Sequence, residues 1–155
     1  MKLKNLVAII IVGSLGYLGY TYLVTNFSSE AMVYKRYADA LLDGEPSRIK
    51  QLVTGQDVLF PFQAREQRED FLNGEVRFTW YNFKNKVVSP DGNTVTLTVV
   101  QNVRVDPPGT DSFYGKEVRS DRHVVTLKKF QSSWQISSFA DTPTAEFKAE
   151  QSAKQ

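Results

Sequence analysis

The stretch Val95-Thr96-Leu97-Thr98-Val99-Val100-Gln101-Asn102-Val103-Arg104-Val105 decides the fold. Val95, Leu97, Val99, Val103 and Val105 recur with a period of two, so a strand places all five on one face. Such a strand, apolar on one side and polar on the other, belongs to an antiparallel sheet with one buried face. Arg104 interrupts only the opposite side, where an outward charge belongs.

On either side of this strand the turn chemistry is explicit. Ser89-Pro90-Asp91-Gly92-Asn93 precedes it, with Pro presetting one dihedral and Gly accepting a positive one. Asp106 to Lys116, containing Pro107-Pro108-Gly109, forms a long loop at one rim. Val118 to Phe130 and Trp134 to Phe139 make two further strands around the turn at Gln131 to Ser133. Upstream, Val76, Phe78 and Trp80 alternate, whereas Tyr81 and Phe83 continue in the opposite phase, which predicts a bulge between the two sets. Trp80, Trp134, Phe78 and the valine ladder are the expected main contributors to the core.

Before Gly74 the apolar period is near 3.6. Ser28 or Ser29 can cap a helix with Glu30 in its first turn, and Ala31, Tyr34, Tyr37, Ala38, Leu41 and Leu42 supply its apolar face up to Gly44. Pro46 opens a second helix carrying Ile49, Leu52 and Val53, which stops at Gly55. A short strand at Asp57 to Phe60 and a third helix from Gln63 to Asn73 are expected next. The fold class is therefore α+β: an N-terminal apolar helix, then three helices packed on a curved antiparallel sheet. Residues 143–155 are polar apart from Phe147 and read as a disordered or weakly helical tail.

The front of the chain is of a different character. From Asn5 to Ser29 no residue is charged, and a hydrocarbon core of roughly 30 Å needs about 20 helical residues. Residues 1–27 are read as a single-pass transmembrane anchor. Lys2 and Lys4 lie on the short side, which by the positive-inside rule keeps the N-terminus cytoplasmic and puts residues 28–142 in the periplasm or outside the cell. Tyr17, Tyr20, Tyr22 and Phe27 gather at the outer end, as rings do at a headgroup boundary. The competing reading is a cleaved signal peptide with Ser14 and Gly16 at the cut, which would leave a very short apolar region and an apolar mature terminus. Asn26-Phe27-Ser28 matches a glycosylation acceptor but abuts the membrane.

Composition narrows the chemistry. The chain has 155 residues, no cysteine, one histidine and a net charge of +2. With Lys2 and Lys4 set aside, the remaining 17 bases balance 17 acids. A neutral outer domain has no broad positive field for a phosphate backbone, so nucleic acid is not an expected partner. Disulfide frameworks, cysteine-ligated metals and thiol nucleophiles are excluded, and His123 alone cannot supply a multi-histidine site. No metal or other cofactor is expected. No phosphate-cradling glycine loop lies outside the apolar segment, and there is no Gly-x-Ser-x-Gly or His-Glu-x-x-His motif, so the domain is expected not to be an enzyme.

The order of elements resembles the nuclear transport factor 2-like (NTF2-like) superfamily, the cystatin-like or SnoaL-like cone. The resemblance covers roughly Ser28 to Asp141. It rests on the opening helix Tyr34-Lys35-Arg36-Tyr37-Ala38-Asp39-Ala40-Leu41-Leu42-Asp43-Gly44, the short strand before the third helix, and the closing Trp134-Gln135-Ile136-Ser137-Ser138-Phe139. A membrane helix ahead of such a cone also resembles VirB8-type envelope assembly proteins. The resemblance implies a cone whose open end can hold a small apolar molecule, with acids, bases and tyrosines on inward strand positions.

Strand parity places Asp121 and His123 on one side with Val125 and Leu127, an arrangement capable of proton transfer. Arg119 and Arg122 beside them favour the plainer reading of a solvated, charge-paired strand end. Tyr34, Tyr37 and Trp80, with Tyr81 and Phe83, are candidates to line a ligand pocket, although aromatics at these periods more commonly form plain core. Lys84, Lys86, Lys128 and Lys129 suit one basic patch or, more simply, a solvated sheet. Phe113 and Tyr114 in the rim loop are candidate anchors for a protein partner, because aromatics dominate interface energetics. The expected role is a non-catalytic protein-interaction or envelope-assembly module with a protein partner or a second copy. A small-molecule-binding or isomerase-like enzyme using the cone interior is the alternative.

Overall fold

A computed structural model describes residues 3–55 and 74–143. The strand expected at Asp57 to Phe60, the helix expected at Gln63 to Asn73 and the tail beyond residue 143 lie outside the described residues. The architecture is α+β. Among the described residues, three helices, α1 (Leu3–Asn26), α2 (Ser29–Asp43) and α3 (Pro46–Leu52), precede four strands, β1 (Glu75–Val88), β2 (Thr94–Asp106), β3 (Glu117–Phe130) and β4 (Ser133–Pro143). The strands form one antiparallel sheet in the order β1-β2-β3-β4.

Helix α1 is long and apolar enough to cross a membrane, with a mean hydropathy of 1.2 over Ile9–Asn26. Only 6% of that window is buried, unlike the core helix of a soluble protein, although a signal sequence passes the same test of length and composition. A bend at Phe27 and Ser28 separates α1 from α2. At this joint Lys35 donates to the carbonyl of Asn26 at 2.9 Å and lies over the rings of Phe27 and Phe83, which places a cation at the negative end of α1.

Helix α2 starts after the extended Ser28, which makes no side-chain cap hydrogen bond, and stops at Gly44, whose φ of 70° is left-handed. Its buried face carries Ala31, Tyr34, Tyr37, Ala38, Ala40 and Leu41. These pack on the inward residues of the sheet: Val95, Leu97 and Val99 of β2, Val125 and Leu127 of β3, and Ile136 of β4. Pro46 opens α3, which contributes Ile49 to the same core. Beyond α3, Val53 bridges to Ile136 and the Thr54 amide donates to the Ile136 carbonyl at 2.8 Å.

Two expectations are corrected here. The register between β1 and β2 shifts at Val76/Phe78 and Phe83/Asn85, whereas Trp80 and Tyr81 pair without interruption against Asn102 and Gln101. The two aromatic phases are therefore the two faces of one strand: Tyr81 and Phe83 pack on the core, while Phe78 and Trp80 point away from it. Phe78 is 60% exposed, so it and Trp80 are outer-face residues and not the main core. Of the two readings of the lysines, the single basic patch is set aside, because Lys86 pairs with the inward Glu30 and Lys129 sits over Trp134.

Candidate functional site

Two clusters are built on opposite sides of the sheet. On the inner side, Tyr34 of α2 and His123 of β3 meet in a hydrogen bond of 2.8 Å between the phenol oxygen and Nδ1. Alternation along β3 explains the histidine's position: Asp121, His123, Val125 and Leu127 are all buried. At 1% and 3% exposure, Asp121 and His123 do not form a solvated strand end, whereas Arg119 and Glu117 nearby pair as such an end would, at 2.9 Å. Phe139 packs between the His123 ring, at 4.8 Å, and the Tyr37 ring, at 5.1 Å. Tyr34 also stands edge-on to Tyr81 and Phe83.

A second inner group joins this one through Tyr81. Its phenol donates to Asp39 of α2 and accepts from Gln101 at 3.4 Å. Burial pushes the Tyr81 phenol well above its ordinary value, and the Asp39 carboxylate beside it adds to the effect. The inner cluster thus offers a buried imidazole bonded to a phenol, with a carboxylate two residues along on the same face. Such a pair can hold or pass a proton between ring nitrogen and phenol oxygen. Among the described residues no group of three His, Asp or Glu side chains is placed to hold a metal ion.

Of the five residues expected to line an interior pocket, Tyr34, Tyr37, Asp121 and His123 come together on the inner side. Trp80 does not. It stacks on Phe78 at 5.8 Å with 29° between the rings, on the outer side beside Phe113 and Tyr114 of the rim loop. Arg77, Phe78, Trp80, Arg104, Phe113 and Tyr114 line one cleft of about 640 Å³. Phe113 and Tyr114 meet edge to face at 4.8 Å and are 88% and 71% exposed.

The rim loop is held by Asp106, which sequence reasoning treated only as the start of the loop. The Asp106 carboxylate accepts the Ser112 amide and the Ser112 hydroxyl, each at 2.7 Å, the Lys116 amide at 3.2 Å and the Arg77 Nε at 3.0 Å. The Ser112 hydrogen bonds, aided by Arg77, hold this carboxyl below its ordinary range. The Lys116 amide also donates to the Val105 carbonyl at 3.0 Å. Gly115, at φ +76°, approaches β2 so closely that a Cβ there would stand 3.0 Å from the Arg104 Cβ. Arg77 in turn pairs with Glu75 and Asp111. The signal for Asp106 was its place at a strand end ahead of Pro107-Pro108-Gly109 with Ser112 downstream, but its partners come from β1 and the far end of the loop.

No protein-family model matches the chain, and no curated protein sequence matches it. Among solved structures, the chain is similar to a putative dehydratase of the NTF2-like family from Streptomyces avermitilis, with a TM-score of 0.51 and 14% identity. That likeness covers 77% of this chain and 97% of that one. The intermembrane-space region of the chloroplast protein ARC6 also matches, at 13% identity and a TM-score of 0.36, over 70% of this chain and 96% of that one. The fold is NTF2-like, behind one N-terminal helix apolar enough for a membrane span.

Proposed function

We propose that this chain is a single-pass membrane protein whose NTF2-like domain stands on the periplasmic or extracellular side of a bacterial cell membrane and acts as a non-catalytic interaction module. An envelope-assembly role of the VirB8 type falls within this reading. What carries it is the rim: Phe113 and Tyr114 are exposed to water, yet the loop that bears them is fixed by three hydrogen bonds to Asp106, itself held by Arg77 of β1. Holding large apolar rings rigid in water forgoes their burial energy, and fixed exposed aromatics are the usual anchors of a protein contact. The test is cross-linking in intact cells followed by purification of the full-length protein. The Phe113→Ser/Tyr114→Ser double variant should lose the cross-linked partner that the wild type retains; equal recovery from both removes the rim as the contact.

A second reading, a small-ligand or isomerase-like site in the cone interior, is favoured by the buried Tyr34–His123 bond with Asp121 on the same face. The dehydratase description belongs to the Streptomyces avermitilis protein alone. Replacing His123 by Ala removes a buried contact, but where the melting curve shows that the variant is still folded, cellular function should stay intact if the domain is an interaction module. Loss of function in a variant that still folds would transfer the account to this interior.

A further inference from the structure

We infer that the outer face of the sheet, together with the rim aromatics, is a docking surface for an acidic segment of a partner polypeptide; this rests on the interaction reading above and deepens it. The sign of the partner follows from strand parity. On the outward rows of β2 and β3, which run through Thr94, Thr96, Thr98, Val100, Asn102 and Arg104 and through Val118, Ser120, Arg122, Val124, Thr126 and Lys128, no acid stands before Asp106 closes the β2 row, and the acids at that end, Asp106, Glu75 and Asp111, are all engaged by Arg77. The remaining charges of these rows are Arg104, Arg122 and Lys128, all positive. The acids of β3, Glu117 and Asp121, point to the opposite side, in register with Val105 and Gln101. Asp106, at the end of β2, is buried and bonded to Arg77.

The three arginines of this face differ in what they have left to offer. Arg77 is held by Glu75, Asp106 and Asp111, so its charge is already answered. Arg104 and Arg122 make no ion pair with any described residue. Arg104 lines the same cleft as Phe78, Trp80, Phe113 and Tyr114. An aromatic floor beside an unanswered guanidinium fits an apolar side chain flanked by carboxylates, and Trp, Tyr and Arg are the residue types that carry most interface energy.

Position favours a polypeptide over the lipid surface as the occupant. Helix α2 runs antiparallel to β1: Glu30, next to the end of α1, pairs with Lys86, Asp39 bonds Tyr81, and Leu42 packs on Val103 and Val105. From Lys86 to Phe78 the strand covers roughly 25 Å at about 3.3 Å per residue. Among the described residues, the cleft therefore lies roughly 25 Å along β1 from the strand position that meets Glu30 beside the end of α1.

The experiment uses full-length protein in phosphatidylcholine nanodiscs as bait for a displayed library of random short peptides. Enriched peptides should carry Asp or Glu next to an aromatic or aliphatic residue and should bind more weakly as salt rises. Their affinity should fall about tenfold in Arg104→Gln/Arg122→Gln, the loss expected of two partly exposed charge contacts. These outward substitutions leave the core untouched, and an unchanged melting curve confirms the fold. Peptides without acids, or binding indifferent to the arginine variant but abolished by Phe113→Ser/Tyr114→Ser, overturn the acidic occupant and leave the rim standing. Binding indifferent to the aromatic variant, or no enrichment, overturns both. Stronger binding to phosphatidylserine vesicles or to oligo(dT) than to any peptide overturns the polypeptide occupant.

Discussion

Tyr34 and His123, 89 residues apart in the chain, are joined by a hydrogen bond of 2.8 Å between a phenol oxygen and a ring nitrogen that are both buried. The bond ties the first helix of the domain to the third strand of the sheet at the depth where Tyr81, Phe83 and Phe139 surround the pair. Removing the hydroxyl leaves the imidazole nitrogen without this partner in an apolar setting. Tyr34→Phe should therefore destabilise the domain by about 1–3 kcal/mol, read as a lowered urea midpoint with an unchanged slope. An unshifted midpoint would mean that the bond contributes nothing to the fold.

At the rim, Asp106→Ala should release the loop without unfolding the sheet, because the amides of Ser112 and Lys116 and the Arg77 guanidinium all lose one acceptor together. Limited proteolysis is expected to cut between Pro107 and Lys116 much faster than in the wild type, while the melting curve of the sheet changes little. Equal cutting rates would show that the loop is ordered by something other than this carboxylate.

The same carboxylate sets an acid limit on the rim. Its pKa is lowered from 3.8 by Ser112 and Arg77, so the folded state binds this proton less readily than the unfolded chain. The stabilisation is then fully present above 3.8 and is lost as pH falls below it, through the depressed folded value. Trp80 lies in the cleft with Phe113 and Tyr114, so its fluorescence should stay constant from neutral pH down to the carboxylate range and change only below it. A change centred near pH 6 contradicts this assignment.

Gly74 sits at φ +140°, where an added Cβ would stand 2.0 Å from the Asp106 carbonyl oxygen. Gly74→Ala must move the end of β2 or the entry to β1, and backbone strain of this kind costs about 1–3 kcal/mol. The melting temperature should fall, and the rim loop should become protease-sensitive as in the Asp106 variant. A neutral substitution would indicate that the two backbone segments do not meet.

Much of the architecture was legible because it follows from period alone. The valines of β2 and the alternation from Asp121 to Leu127 announced one buried face, and Gly44 announced the end of α2. Parity likewise put Asp121 and His123 on the inward side. Their depth was not legible, since Arg119 and Arg122 next to them read as solvent-facing; what covers His123 is the face of α2 that carries Tyr34, a contact across most of the chain, together with Phe139 of β4. Trp80 was misplaced for a related reason. Two overlapping alternations in one strand have the same pattern whether a bulge turns it or aromatics occupy both faces, and only the pairing with β2 separates the two. The candidate site at the rim was half legible. Phe113 and Tyr114 stood out as exposed aromatics, while Arg104 looked like an ordinary outward charge and Asp106 like a strand end, because the loop joining them is closed by hydrogen bonds that no spacing encodes.

The chain contains no cysteine, which makes the placement of the domain directly measurable. Two single-cysteine variants suffice: Ser132→Cys, at an exposed turn between β3 and β4, and Lys2→Cys, ahead of α1. In intact cells whose outer layer has been made permeable, a maleimide that cannot cross the inner membrane should label Ser132→Cys at once and Lys2→Cys only after lysis. Labelling of Lys2→Cys alone before lysis, or of neither, would contradict a domain held outside the membrane by its N-terminal helix.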